Sequence, residues 1–328
     1  MGANIKLSVV IPTRNHAELL DRTLASLASQ QYPCELFEVL VIDNGSSDST
    51  PAVCEGWAAR FKSFRRVFEP EPGLHVGRNL GMTLAREAIL VYADDDIQAD
   101  PEWLQSIAKA FEDPAVGLVG GNNLPDYESA PPGWLEGLKM RLPFGWAIPP
   151  LSVLDFGVEP RDVEPQYVWG CNYSIRKNLL LEIGGFHPDG MPANLEHLRG
   201  DGESYVSREV AGRGYRILFV PGASIRHFTP ASRLTVEYLK NRGLRQGISK
   251  TYTVIRESGG LGVRATLILL LAALKSYAVA SVSSNLGRQS LLKGYVKGIL
   301  SHMRHCGRNL DTISWILKRH YMMVDRRR

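Results

Sequence analysis

Three consecutive carboxylates, Asp94-Asp95-Asp96, close the apolar run Ala88–Ala93. Side by side at a strand end they repel one another unless a cation shares their field, and hard oxygen ligands suit Mg2+ or Mn2+. Such an ion, held by one or two carboxylates and by the phosphates of a substrate, is a recurring arrangement. The competing reading is a solvated acidic turn, and the register of the metal ligands within the triplet stays open. Asp43 ends an earlier apolar run, Glu38–Ile42, and opens the turn Asp43-Asn44-Gly45-Ser46. It reads either as a ligand contact or as the hinge of an Asx turn.

The elements that must position these groups alternate. Leu7–Ile11 reads as a strand. Leu19, Leu20, Thr23, Leu24, Leu27 and Ala28 share a helical face, and a strand over 38–42 follows. Asp48, Ser49 and Pro51 begin another helix. Arg66–Phe68 is a weak strand, residues 79–86 a helix, Ala88–Ala93 a strand, Trp103–Phe111 a helix and Val116–Gly120 a strand. This order predicts an α/β fold with a mostly parallel sheet flanked by helices, and ligands then collect beyond the carboxyl ends of the strands. Asp43 and Asp94–Asp96 both stand at such ends. From about residue 123 to 166 the chain is rich in Pro, Gly and Trp, and the expectation is a long functional loop without regular structure.

A series of short stretches resembles glycosyltransferase family 2, the inverting enzymes of the GT-A fold. They are Ser8–Asn15, Val41–Asp48, Gly73–Gly81, Tyr92–Asp96, Gly170–Asn172, Gly184–Phe186, Gly200–Glu203 and Gly214–Ile217, in order across residues 8–228. The resemblance implies a nucleotide-sugar donor and a divalent metal, Mg2+ or Mn2+. It puts Pro12, Thr13 and Asn15 in the nucleotide pocket, Asp43 on the nucleobase or its ribose, and Arg78 and Asn79 on ribose and phosphate. It makes Asp94 and Asp96 the D-x-D pair, one carboxylate toward ribose and metal and the other on the metal, with Asp95 able to replace either. Many relatives carry a carboxylate eleven residues before a Gly-Tyr dipeptide, the base that deprotonates the acceptor hydroxyl. Counting back from Gly214 gives Glu203, with Asp201 as the alternative and helix capping as the non-catalytic reading of each. His227 corresponds to a histidine that reaches the metal or diphosphate, and Trp134, Trp146 and Trp169 are candidates for sugar stacking or for core packing.

Charge divides the chain. Residues 1–230 hold 20 Lys+Arg against 30 Asp+Glu, and residues 231–328 hold 18 against 4. A catalytic domain over 1–229, its donor half about 1–122 and its acceptor half about 123–229, is therefore expected to carry a basic helical tail over 230–328. Leu291, Leu292, Tyr295, Val296, Ile299, Leu300 and Met303 share one helical face with Lys293, Lys297 and Arg304 off it, which suits an anionic membrane surface. The run Ala265–Leu274 is apolar, but Lys275 interrupts it, and a charge-free span needs about 18 residues. Scattered cysteines fit a reducing compartment, and the amino terminus lacks both a signal peptide and, after Gly2, a myristoylation signal. The expected location is cytoplasmic, peripheral on the inner face of the cell membrane.

These features select a non-processive enzyme acting on a glycan or lipid-linked acceptor in surface polysaccharide or glycoconjugate synthesis. A processive synthase would carry Gln-x-x-Arg-Trp and several long apolar spans. A catalytically inactive nucleotide-sugar-binding protein would not need Asp94, Asp96 and Glu203 together. No nucleic-acid partner is expected, because the basic tail presents apolar faces and few aromatics.

Overall fold

The computed structural model describes residues 5–318 and Tyr321; Gly2 lies outside the described residues. The donor half contains β1 (Leu7–Thr13), α1 (Ala17–Ala28), β2 (Phe37–Asp43), α2 (Thr50–Ala58), β3 (Phe64–Phe68), α3 (Leu74–Leu84), β4 (Ile89–Ala93), β5 (Ile97–Ala99), α4 (Trp103–Ala110) and β6 (Val116–Gly120). There follow β7 (Asn123–Tyr127), β8 (Met140–Leu142), β9 (Gly145–Ile148), β10 (Val153–Asp155), β11 (Arg161–Asp162), β12 (Asn172–Arg176), α5 (Lys177–Ile183), α6 (Gly202–Gly212), β13 (Arg216–Phe219) and β14 (Ile225–Thr229). The tail contributes α7 (Val236–Glu257), α8 (Val263–Val282), α9 (Leu286–Arg308) and α10 (Leu310–Ile316).

The main sheet runs β11-β13-β6-β12-β4-β1-β2-β3. Strands β4, β1, β2 and β3 are parallel, and β12 enters antiparallel between β4 and β6. Every residue of β1, β2 and β4 is buried, as strands covered on both faces must be. Alternation sorts their side chains. Val9, Ile11, Val39 and Val41 meet Leu20, Leu24 and Leu27 of α1 on one face. Val10, Leu40, Ile42 and Tyr92 meet Met82, Leu180, Val206 and Val210 on the other.

The segment expected to be an irregular loop is instead a scaffold. Residues 123–155 supply four strands of a second sheet, ordered β5-β14-β7-β10-β9-β8, and β11 joins the main sheet. These strands are two to five residues long with Pro and Gly between them, too short to leave a periodic signature. The second sheet positions the site, because β14 carries His227 and pairs with β5 directly after the aspartate triplet.

The tail also differs from its amphipathic reading. Helices α7 and α9 meet at backbone distance through Gly243 and Gly247 on one and Gly294 and Gly298 on the other. A Cβ at Gly243 would collide with the carbonyl oxygen of Leu291, and one at Gly298 with that of Leu244. Small residues four apart on both helices allow this approach. Tyr295, Val296, Ile299 and Met303 pack inward against Ala265, Leu269 and Ala273 of α8 and Val254 of α7, so most of the apolar face expected to meet a membrane is spent on internal packing. The outward apolar face belongs to α8, where Val263, Leu267, Leu270, Leu271, Leu274 and Tyr277 are exposed.

Gly247→Leu or Gly298→Leu should separate α7 from α9 and lower stability by at least ~1–3 kcal/mol, the usual cost of overpacking. Denaturant titration would register this as an earlier midpoint, and an unchanged midpoint would mean the helices do not touch there.

Candidate active site

Parallel register aligns the carboxyl ends of the central strands, with Thr13 opposite Asp43 and Val10 opposite Tyr92. The aspartate triplet emerges from β4 at this edge and its three side chains part. Asp95 turns toward β1, accepts a hydrogen bond from Thr13 Oγ1 at 2.6 Å and lies 3.1 Å from His16 Nδ1. Burial pushes the Asp95 carboxyl up, while the same contact raises His16. Asp94 accepts from Arg78 Nη2 at 2.6 Å. Asp96 lies 3.2 Å from His227 Nε2 and 3.3 Å from Arg233 Nη2. Burial opposes ionisation of Asp96, but His227 and Arg233 outweigh it and hold the carboxyl below its ordinary range; burial likewise opposes the charged form of His227, and Asp96 raises it.

Ligand atoms of Asp94, Asp96 and His227 lie within 4.8 Å of one another. Asp96 Oδ1 is buried without a hydrogen-bond partner despite its proximity to His227. Two carboxylates and an imidazole around an unsatisfied oxygen suit a divalent cation such as Mn2+ or Mg2+. Asp95, with both oxygens engaged by Thr13 and His16, stands outside this group.

Arg78 is buried to 2% exposure. Beyond Asp94, its guanidinium donates to the Gly170 carbonyl at 2.8 Å and approaches His75 Nε2 at 2.9 Å. Asn79 exchanges hydrogen bonds with the backbone of Phe186, 2.8 and 3.0 Å long. Both side chains, expected on ribose and phosphate, are thus engaged by the protein itself. Asp43 is buried in an Asx turn, accepting from Ser46 N at 2.9 Å and from Arg66 Nη1 at 2.7 Å. Asn15 adopts φ 55° and accepts from Ser47 N at 2.7 Å, tying the loop after β1 to the loop after β2 beside Pro12 and Thr13.

The two candidate bases occupy different surroundings. Asp201 has a side chain 7% exposed and accepts from His187 Nδ1 at 2.7 Å, Arg208 Nη2 at 2.7 Å and Thr253 Oγ1 at 3.2 Å. Glu203, in the first turn of α6, is 25% exposed, with Oε2 3.6 Å from His75 Nε2 and Oε1 3.4 Å from Gly170 N. Burial and the adjacent Arg78 push His75 down, and its Nδ1 meets the His187 carbonyl at 2.7 Å. His75 is thereby held toward its neutral form. His75, Asp189 and Glu203 also cluster within 4.8 Å, but Arg78 engages His75 and Arg199 engages Asp189, which leaves Glu203 the freest of the three.

Trp134 packs on Gly287 of the tail, and Trp146 lies beneath Lys139, 4.2 Å from nitrogen to ring centre. Sequence reasoning passed over His16, His75 and Arg233. His75 lay within the quoted Gly73–Gly81 stretch. Arg233 follows β14 in the segment assigned to the tail, and no local pattern marks it.

Residues 8–153 match the model of Glycosyl transferase family 2. The validoxylamine A glucosyltransferase of Streptomyces hygroscopicus subsp. jinggangensis is 33% identical over 208 residues, 56% of this chain and 47% of that protein. The chain thus spans about half the length of that relative. A glucosyl-dolichyl phosphate glucuronosyltransferase of Haloferax volcanii is 23% identical over 256 residues, 75% of this chain and 76% of that one. Among solved structures, a Pyrobaculum calidifontis mannosyltransferase in complex with GDP-Man and Mn2+ superposes with a TM-score of 0.56 at 19% identity, covering 95% of this chain and 85% of its own. The S. aureus TarS fragment 1-349 superposes at 0.51 and 14% identity, covering 92% of each chain. At these identities the likeness is one of fold, the GT-A fold. Over residues 8–153, the chain is similar to glycosyl transferase family 2.

Proposed function

We propose that the chain transfers a sugar, with inversion, from a nucleoside-diphosphate donor to a hydroxyl of a glycan or lipid-linked acceptor in surface polysaccharide or glycoconjugate synthesis. The observation that carries this reading is the convergence of Asp94, Asp96 and His227 within 4.8 Å, with Glu203 3.6 Å from His75, which Arg78 contacts alongside Asp94. The relatives named above, glycosyltransferases among them, support it.

In this reading Asp94, Asp96 and His227 would hold a divalent ion, which would supply positive charge to the diphosphate leaving group. Arg78 fixes Asp94 through its hydrogen bond at 2.6 Å. Pro12, Thr13, Asn15 and Asp43 border the nucleotide, with Asp43 shaping the pocket through its turn. Glu203 takes the proton of the acceptor hydroxyl as that oxygen bonds to the anomeric carbon and the bond from carbon to the diphosphate oxygen breaks. Asp201, whose oxygens are already engaged, braces α6 against the tail through Thr253. Residues 1–229 form the catalytic unit and 230–328 an accessory helical layer.

Membrane association belongs to the same proposal, but through α8. Leu271 and Leu274 are 64% and 66% exposed, and the helix is long and apolar enough to cross a bilayer by length and composition. Arg264 and Lys275 border its outward face, so we read α8 as lying in the interface of an anionic cytoplasmic leaflet with both cations at headgroup level.

Asp96→Ala should abolish Mn2+-dependent binding of nucleoside diphosphate in calorimetric titrations while the fold persists; unchanged binding removes the metal assignment. Glu203→Gln should retain donor binding and lose roughly 10²–10⁴-fold in transfer rate, the usual worth of a positioned base. Asp201→Asn should act mainly on thermal stability, and the reverse pattern would exchange the two roles. The full chain should pellet with anionic liposomes, Leu271→Asp/Leu274→Asp should not, and high salt should weaken the wild-type interaction without erasing it. Retention of the wild type in the supernatant removes the interfacial role of α8.

A further inference from the structure

Glu203 faces an imidazole whose proton is placed from its far side. His75 Nδ1 meets the His187 carbonyl at 2.7 Å, and a carbonyl oxygen only accepts, so Nδ1 carries the ring proton. Nε2, 2.9 Å from Arg78 Nη1, then accepts from the guanidinium, which only donates. A second proton on the ring would set N–H against N–H at that distance. His75 thus presents a lone pair at Nε2. Glu203 Oε2 stands 3.6 Å from the same atom, while its Oε1 lies 3.4 Å from Gly170 N. Two acceptors face each other there, an arrangement that becomes attractive once a proton lies between them.

The approach is built into both elements. Gly202, between the two candidate carboxylates, has φ 54°, and a Cβ on it would come within 2.7 Å of His75 Cε1. Glycine at this position is what lets the first turn of α6 close on the imidazole. Phe186 holds the ring from another side, with 5.1 Å between centroids. The charged groups around His75 are Arg78 on its own helix, Glu203 on α6, and Asp189 between α5 and α6, which Arg199 pairs.

We propose that His75 is a positioning residue for the proton transfer: when Glu203 takes the proton of the acceptor hydroxyl, its new Oε2–H donates to His75 Nε2. The proposal rests on the reading of Glu203 as the base. One O–H bond breaks in the acceptor and one forms on Oε2. His75 keeps its single proton on Nδ1 throughout, and Arg78, which shares the Nε2 lone pair, opposes the further step to imidazolium. The Glu203 side chain is 25% exposed, so the proton then leaves to water.

Nitrogen NMR of the full chain with isotope-labelled histidine tests the arrangement before any substrate is added, the His75 signals being identified by their loss in His75→Asn. Wild type should show Nδ1 protonated and Nε2 bare at neutral pH. Glu203→Gln puts an amide N–H where the new O–H would be, so it should move the Nε2 signal toward that of a hydrogen-bonded acceptor, and Glu203→Ala should not. A proton on Nε2, or an Nε2 signal indifferent to Glu203→Gln, overturns the proposal. In Mn2+-dependent hydrolysis of UDP- and GDP-sugars, His75→Asn should lose about tenfold in rate, the scale of one hydrogen bond, while keeping its affinity for nucleoside diphosphate. Its amide still reaches the His187 carbonyl, and His75→Gln takes its place if it does not fold. Loss of that affinity makes His75 a prop of Arg78 and overturns the proposal, as does a loss that adds in full to that of Glu203→Gln. Hydrolysis at the wild-type rate by Glu203→Gln removes the base itself, whereas an impaired Glu203→Gln beside an unresponsive His75 signal removes only the role of His75.

Discussion

A buried guanidinium ties the two halves of this molecule together. Arg78 rises from α3 in the donor half and ends between Asp94, the Gly170 carbonyl and His75. A cation taken out of water costs several kcal/mol unless it is paired and its donors are used. Asp94 meets that need from the strand that carries the metal-binding candidates, and Gly170 meets it from the segment leading into β12. The cation therefore requires both halves to assemble at once. Phe186, 6.0 Å from the guanidinium carbon, closes the same space and is itself anchored to α3 by Asn79. Arg78 and Asn79, which a motif reading assigns to substrate contact, are thus engaged by groups of the protein itself.

The central strands were legible because burial on both faces writes an uninterrupted apolar run into the sequence, as at Val9–Ile11 and Val39–Ile42. The second sheet was not, because strands of three or four residues such as Met140–Leu142 contain too little alternation. The aspartate triplet announced a site, but its register depends on Thr13 and His16, which come from a different strand and the turn beyond it. Glu203 was reached by spacing from Gly214-Tyr215. What separates it physically from Asp201 is a set of partners, His187, Arg208 and Thr253, that only folding brings together.

The tail was misjudged in a more instructive way. Helical periodicity found the apolar face of α9 correctly as a face, yet periodicity does not say what covers it. The glycine pairs of α7 and α9 do, since two helices at backbone distance leave no room for any other partner there. That packing turns α9 inward and leaves the apolar face of α8 outside.

Gly170 illustrates how tightly such a frame constrains change. A Cβ at that position would overlap the Arg78 guanidinium. A side chain at 170 therefore displaces the guanidinium from its place, and a smaller residue 78 abandons Asp94. The two positions are coupled through that one cation. Divergence in this region must then travel through the surrounding loops, which can lengthen or exchange residues to suit new substrates while the pair stays locked.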